Sequence, residues 1–331
     1  MMVKSLCVYK SIYKKHMLKD KTFIIATIAF SLMVIIIIII GLQGTATHRA
    51  LAAMSDLNNI TGSSSGQKNN NILFTKILAK NLENRVQKTG AILEVTSKLP
   101  QVRNVSYAHL LNQTLNTLHG IPQYADIEKR QLVDNIIASN SDLYEIFLVM
   151  PNGNMYLLEP YSIQKTLAVN NYAFRDYFQG AIKTNDTYLG NVHVTAATTG
   201  IRTAKIAVPV YSLKDNSTIV GVWAGSIDFN VLNKELQSLF NITSPLDGNN
   251  NTRVVYVDSN GQKIADSDIN KSKIPESFAS LNSYKNVING QAGSLIDTLN
   301  NGTKMLVTYQ PVKVFHNTWV VLLIQPLSSA K

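Results

Sequence analysis

A chain of 331 residues leaves room for one large or two small domains beside a membrane segment, and is long enough to bury a sizeable core. The net charge is +10, but Lys4, Lys10, Lys14, Lys15, Lys19 and Lys21 against the single acid Asp20 put half of it in the first 21 residues. The rest is spread without a Lys/Arg cluster, which excludes the usual footprint of a nucleic-acid binder. The one cysteine, Cys7, excludes an intrachain disulfide and a cysteine-based metal site.

Residues 22–42, TFIIATIAFSLMVIIIIIIGL, carry no charge. As a helix they would span roughly 31 Å, close to the ~30 Å hydrocarbon core of a bilayer. The basic residues 1–21 then form a cytoplasmic tip and place the bulk of the chain outside the cell membrane, as a single-pass protein with its N-terminus inside. The competing reading is a signal peptide cleaved near Gly44-Thr45-Ala46-Thr47. Cys7 is a candidate for acylation, or an inert thiol. Asn-x-Ser/Thr sequons recur from Asn59 to Asn301.

Residues 43–71 read as a juxtamembrane linker whose second half, NNITGSSSGQKNNN at 58–71, is a flexible break. From 72 to 99, Phe74, Leu78, Leu82, Val86 and Leu93 recur at near-helical spacing between Lys76, Lys80, Glu83, Arg85 and Lys88. Gly90 weakens the middle, and Pro100 marks the end. Such a helix suits a stalk or the backbone of a homodimer; it equally suits an amphipathic helix packed on its own domain. Shorter helices near 106–118 and 126–139 complete a stalk-and-connector region over 72–124.

The character then changes to strands. Leu143–Met150, the turn Asn152-Gly153 and Met155–Leu158 predict a hairpin. A helix over 171–184 and strands at Thr187–Thr195, Ala204–Tyr211 and Thr218–Asp228 follow, then a helix over Phe229–Phe240 with Asp228 as its N-cap. The series returns as Arg253–Asp258, the turn Asn260-Gly261, Gln262–Ala265, a helix near 276–288, and strands at Gly293–Leu299, Lys304–Val312 and Thr318–Gln325. This is a repeat of topology rather than of sequence. The fold class is α+β: two PAS-like modules with antiparallel sheets, 125–230 and 231–326, behind the long helix. The apolar residues Trp319–Leu327 are too few to span a bilayer, so the chain is expected to cross the membrane once.

The arrangement resembles the double Cache sensor domain of bacterial and archaeal chemoreceptors and sensor kinases, over about residues 70–326. Local stretches carry the resemblance: YAFRDYF at 172–178, TTG at 198–200, AVPVY at 207–211 and GVWAGSIDF at 221–229. It implies a ligand pocket in the membrane-distal module, 125–230, and a membrane-proximal module, 231–326. Arg175-Asp176-Tyr177-Phe178 matches the element that holds a ligand carboxylate, a task suited to the guanidinium fork. The acids that hold a ligand amine in the family fall here on Ala196 and Ser226, and an aromatic falls on Val194. A pocket with an arginine and no acid lacks a partner for a buried ammonium, which favours a small carboxylate or another ligand without an amine. The expected pocket residues are Tyr161, Tyr172, Arg175, Tyr177, Phe178, His193, Thr195 and Ser226.

No metal, nucleophile or phosphate-binding motif is present, and no cofactor is implied. Asp258, Asp266 and Asp268 sit in or beside a turn and read as a solvated surface. The expectation is therefore a non-enzymatic ligand sensor in signal transduction or chemotaxis. With a short cytoplasmic tip, it would act through a membrane partner such as a histidine kinase or chemoreceptor. The alternatives are a tethered solute-binding protein without signalling and a surface adhesion or structural protein.

Overall fold

The computed structural model describes residues 64–195, 201–243 and 252–327. The cytoplasmic tip, the membrane helix expected at 22–42 and the linker up to residue 63 lie outside the described residues. Among those that are described, no helix is long and apolar enough to cross a membrane.

Helix α1 runs from Ser64 to Ser97. It begins inside the stretch expected to be a flexible break and continues through Gly90. Long helices in proteins are held mainly by burying one face, and Leu78, Leu82, Val86 and Leu93 are all at most 3% exposed. Asn71 ties the polar first part to the end of the chain's last strand by donating to Gln325 Oε1 at 2.6 Å. Gly90 is tolerated because a Cβ there would stand 2.1 Å from the Phe315 ring; the glycine makes room for the turn between the last two strands. The apolar stripe that suggested a helix-paired homodimer is thus closed against the sheets of its own chain.

Short helix α2 (Pro100–Arg103), a 3-10 turn at Ser106–Leu110, α3 (Leu111–Leu118) and α4 (Ile127–Ser139) lead to the first module. Its elements are β1 (Leu143–Val149), β2 (Met155–Glu159), α5 (Tyr161–Gln164), α6 (Asp176–Thr184), β3 (Tyr188–Leu189), β4 (His193–Val194), β5 (Arg202–Thr203), β6 (Lys205–Tyr211) and β7 (Ile219–Ile227). Helix α7 (Phe229–Thr243) follows, and the side chain of Asp228 caps it by accepting from Asn230 N at 2.9 Å. The second module comprises β8 (Arg253–Val257), β9 (Lys263–Asp266), α8 (Asn282–Ile288), β10 (Gly293–Thr298), β11 (Lys304–Val314) and β12 (Asn317–Pro326).

The first sheet has the order β2-β1-β7-β6-β3 and the second β9-β8-β12-β11-β10, all antiparallel. The two orders correspond strand for strand. The expected strand over 187–195 breaks: β3 stays in the sheet, and β4 leaves it to pair only with β5. The helices expected over 171–184 and 276–288 begin later, at Asp176 and Asn282.

The repeat extends to individual residues, which the sequence reading had not recognised. Gly153 (φ +86°) and Gly261 (φ +78°) occupy the two hairpin turns in the left-handed region that favours glycine. Tyr172 N donates to Gly153 O, and Phe278 N to Gly261 O, both at 2.7 Å. Ala173 and Ala279 stand against the two glycines. Three residues after each aromatic, Arg175 and Leu281 occupy the N-cap positions of α6 and α8. Pro209 faces Val222 in the first sheet as Pro311 faces Val320 in the second.

Candidate ligand-binding site

Residues of one parity on a strand share a face, so Glu145, Phe147 and Val149 point the same way from β1, while a register shift between Leu143 and Glu145 turns Leu143 to the other face, near Leu93. Register places Glu145 opposite Ser226 of β7, and Ser226 opposite Lys205 of β6. The three polar side chains therefore stand in a row across the centre of the first sheet. All are buried: Glu145 is 3%, Ser226 0% and Lys205 5% exposed. Lys205 Nζ lies 2.6 Å from Glu145 Oε1, and the Ser226 hydroxyl donates to the same oxygen at 2.5 Å. Lys205 also donates to Ser226 Oγ. Its ammonium stands 4.9 Å from the centre of the Phe147 ring and 6.0 Å from that of Tyr177. Burial pulls its pKa below the usual lysine range, and Glu145 opposes that pull.

Above this row, Arg175 at the start of α6 turns its side chain into a pocket shared with Glu145, Phe147, Lys205, Tyr172, Tyr177 and Thr195. The atom-free space totals ≈ 290 Å³ with its open mouth included, and the side chains leave the inner part only about wide enough for water. Arg175 makes no ion pair with Asp176. That carboxylate instead accepts from the backbone N–H groups of Tyr177, at 2.8 Å, and Asn191, at 2.7 Å. The buried Arg175 Nε and Tyr177 hydroxyl have no hydrogen-bond partner among the described residues. Since buried polar groups are normally paired, both are available to a bound molecule. Burial raises Tyr177 well above the ordinary phenol range, so its hydroxyl remains a donor.

Tyr172, Arg175, Tyr177 and Thr195 thus line one pocket, as the sequence suggested. Tyr172 gives its hydroxyl to Val169 O at 3.0 Å and offers the ligand its ring only. Ser226 lies beneath, bound to Glu145. His193 stacks on Tyr177 with centroids 6.0 Å apart. Its Nδ1 lies 3.1 Å from the carbonyl of Asn191, which can only accept, so the neutral ring carries its proton there, and its buried Nε2 has no partner among the described residues. Burial, reinforced by Lys205, lowers the His193 pKa to about 4. Two expected residues belong elsewhere. Phe178 packs in the apolar core, and Tyr161 lies under Arg130, whose guanidinium is 5.1 Å from the ring centre. Ala196 and the Thr-Gly pair at 199–200 lie outside the described residues.

Glu145 and Lys205 were missed in the sequence. With Glu145 present, the premise that the pocket holds no carboxylate is wrong; the pocket has an acid, already paired to an internal ammonium. The available signal was a lone charge at an inward position of an apolar strand, LYEIFLV for Glu145 and AKIAVPV for Lys205.

The second module gives an internal comparison. By turn and register, Arg175, Lys205, Ser226 and Tyr172 correspond to Leu281, Val307, Ile324 and Phe278. All four of these pack in the apolar core of the second module. Glu145 corresponds to Arg253, which pairs with Asp266 and Glu276 at 2.6 Å. The second module thus puts apolar residues at the places of Arg175, Lys205, Ser226 and Tyr172 and keeps a buried ion pair at the place of Glu145.

A sequence model of the Cache domain matches residues 57–331. Among solved structures, the chain is similar to the ligand-binding domain of the Pseudomonas aeruginosa amino acid chemoreceptor PctC in complex with GABA, at TM-score 0.52 and 19% identity, covering 78% of this chain and 99% of that one. It is also similar to the extracellular domain of the putative histidine kinase rpHK1S-Z16, at TM-score 0.54 and 12% identity, covering 77% and 92%. A third is the periplasmic sensory domain of the Campylobacter jejuni chemoreceptor Tlp1, at TM-score 0.53 and 16% identity, covering 80% and 96%. No curated protein matches the sequence.

Proposed function

Because the chain belongs to the Cache domain family, we propose that it is a membrane-anchored sensor whose first module binds a small carboxylate outside the cell. The observation that carries this reading is the comparison of the two modules. The scaffold closes with Leu281, Val307 and Ile324 in one copy, so Arg175, Lys205 and Ser226 are not demanded by folding. Desolvating such charges costs several kcal/mol per ion, and recognition of a charged ligand accounts for them. Arg175 would hold the carboxylate through its fork, Tyr177 would donate one further hydrogen bond, and Tyr172 and Phe147 would wall the apolar end. The narrow interior suits a molecule of few atoms and requires the side chains to part on binding.

In this reading the helix over 22–42 anchors the chain with its N-terminus in the cytoplasm, and the first module is membrane-distal. Ligand shifts the population between two arrangements of the modules on α1. The signal passes through the anchor to a histidine kinase or chemoreceptor partner, the classes of protein to which the similar structures belong. Homodimerisation would use the exposed side of α1 over 72–99, which carries Leu73 and Val95. A tethered binding protein without signalling is the alternative at the level of the cell.

The reading is tested by thermal unfolding of the detergent-solubilised full chain against small carboxylates, amino acids, purines and polyamines. Ligands that bind only the folded state raise the melting temperature by mass action. Carboxylates should raise it, and Arg175→Ala should abolish the rise while leaving the unliganded melting temperature nearly unchanged. A rise with amines alone would refute the carboxylate assignment.

A further inference from the structure

We propose that Lys205 is a built-in counter-cation that occupies the pocket's carboxylate and thereby excludes ligands carrying an amine. The inference rests on the first module being the ligand site, and it narrows the ligand class. Glu145 Oε1 already receives the Lys205 ammonium at 2.6 Å and the Ser226 hydroxyl at 2.5 Å. Phe147 and Tyr177 wall the ammonium on the pocket side. The row is set by strand register, Glu145 to Ser226 to Lys205, so the ammonium is delivered by the sheet itself and not by a loop.

Charge arithmetic gives the consequence. Arg175 and Lys205 contribute +2 and Glu145 −1, so the charges lining the pocket sum to +1. A monocarboxylate brings the site to neutrality. A zwitterionic amino acid leaves the sum at +1 and places its ammonium beside two cations, with the sole lining acid already engaged. An unpaired ammonium in a buried site is heavily penalised. The second module has Val307 at the place of Lys205, so the strand itself does not call for a lysine there.

The test is a pair of titrations on the full chain in lipid nanodiscs, with propionate and L-alanine, which differ by one amine, on the wild type and on Lys205→Met. The wild type should prefer propionate by at least about tenfold, and Lys205→Met should shift the ratio toward L-alanine by about a hundredfold or more, because Glu145 is then open to the ligand ammonium. Glu145→Gln supplies a second readout. It raises the lining charge from +1 to +2, so malonate should gain on propionate by about tenfold. Thermal unfolding confirms that each variant is folded; if Lys205→Met is not, the Glu145→Gln ratio decides. An unchanged propionate-to-alanine ratio in folded Lys205→Met, or an unchanged malonate-to-propionate ratio in Glu145→Gln, overturns the role of Lys205. Wild-type preference for L-alanine sinks the carboxylate reading itself. If the wild type binds neither probe, gain of L-alanine binding in Lys205→Met supports the inference, and continued silence overturns it.

Discussion

His193 is a neutral ring held in a place that resists charging. Lys205, Arg175 and Asp176 are the charged groups that act on it, and burial with the two cations outweighs the aspartate. Its folded pKa is about 4, against 6.5 for an unperturbed imidazole. The unfolded chain therefore binds the extra proton first, and the stabilisation is complete above pH 6.5 and lost as pH falls toward 4. The loss is on the order of 3–4 kcal/mol in full by the usual conversion of about 1.4 kcal/mol per unit. Urea unfolding at pH 7 and near pH 4.5 should show a shallower acid slope for His193→Phe than for the wild type; equal slopes would show that His193 is not the group responsible. Arg175 was legible from the sequence because its motif is local, three residues after Tyr172 and just before a helix. Glu145 and Lys205 were not, because their meaning is a cross-strand register between residues 60 apart, and no spacing along the chain displays it.

At the scale of the element, the expected strand at 187–195 breaks between β3 and β4. Asn191 and Val192, between β3 and β4, are bonded to the second module. Val192 N donates to Asp258 Oδ2 at 2.9 Å, and Asn317 Nδ2 donates to Leu189 O at 3.0 Å. Asp258, read from sequence as a solvated turn residue, is fully buried. It also accepts from Asn260 N at 3.0 Å and Gln262 N at 2.6 Å. This one carboxylate closes the second hairpin and ties down the segment that carries His193 and Thr195. Asp258→Ala leaves three backbone donors without their acceptor, which should cost on the order of 2–4 kcal/mol in thermal or urea unfolding. It should also weaken ligand binding more than a substitution of equal stability cost placed in α8. Equal weakening by both would mean that the tie does not serve the pocket. Most element positions were legible because the period-two and helical patterns are strong. The break was not, since Asn191 and Val192 continue the alternation in sequence and only the neighbouring hairpin pulls them out of the sheet.

At the scale of the molecule, two copies of one scaffold lean on a single long helix; the charged row of the first copy lines its pocket, whereas the second copy keeps Arg253 paired with Asp266 and Glu276 and is apolar at the places of Arg175, Lys205 and Ser226. Placing the second copy's apolar residues in the first, by Arg175→Leu, Lys205→Val and Ser226→Ile, with Glu145→Leu added to remove the carboxylate that they would leave unpaired, should leave the chain folded, raise its unfolding free energy by about 1–4 kcal/mol and abolish binding. Loss of the fold in that variant would show that the charges are structural. The repeat was visible in the sequence as an order of elements. Its residue-level form, Tyr172-Ala173 beside Phe278-Ala279 and Arg175 beside Leu281, was hidden because the pocket-lining positions are the ones at which the copies differ. The most direct test of the account is calorimetric titration of the full chain with the carboxylate that most raises its melting temperature, in the wild type and in Arg175→Leu, which carries the residue of the second module. The account predicts saturable binding to the wild type and a loss of at least about 30-fold, or about 2 kcal/mol, in the variant with its unliganded stability kept. Undiminished binding by folded Arg175→Leu would contradict it.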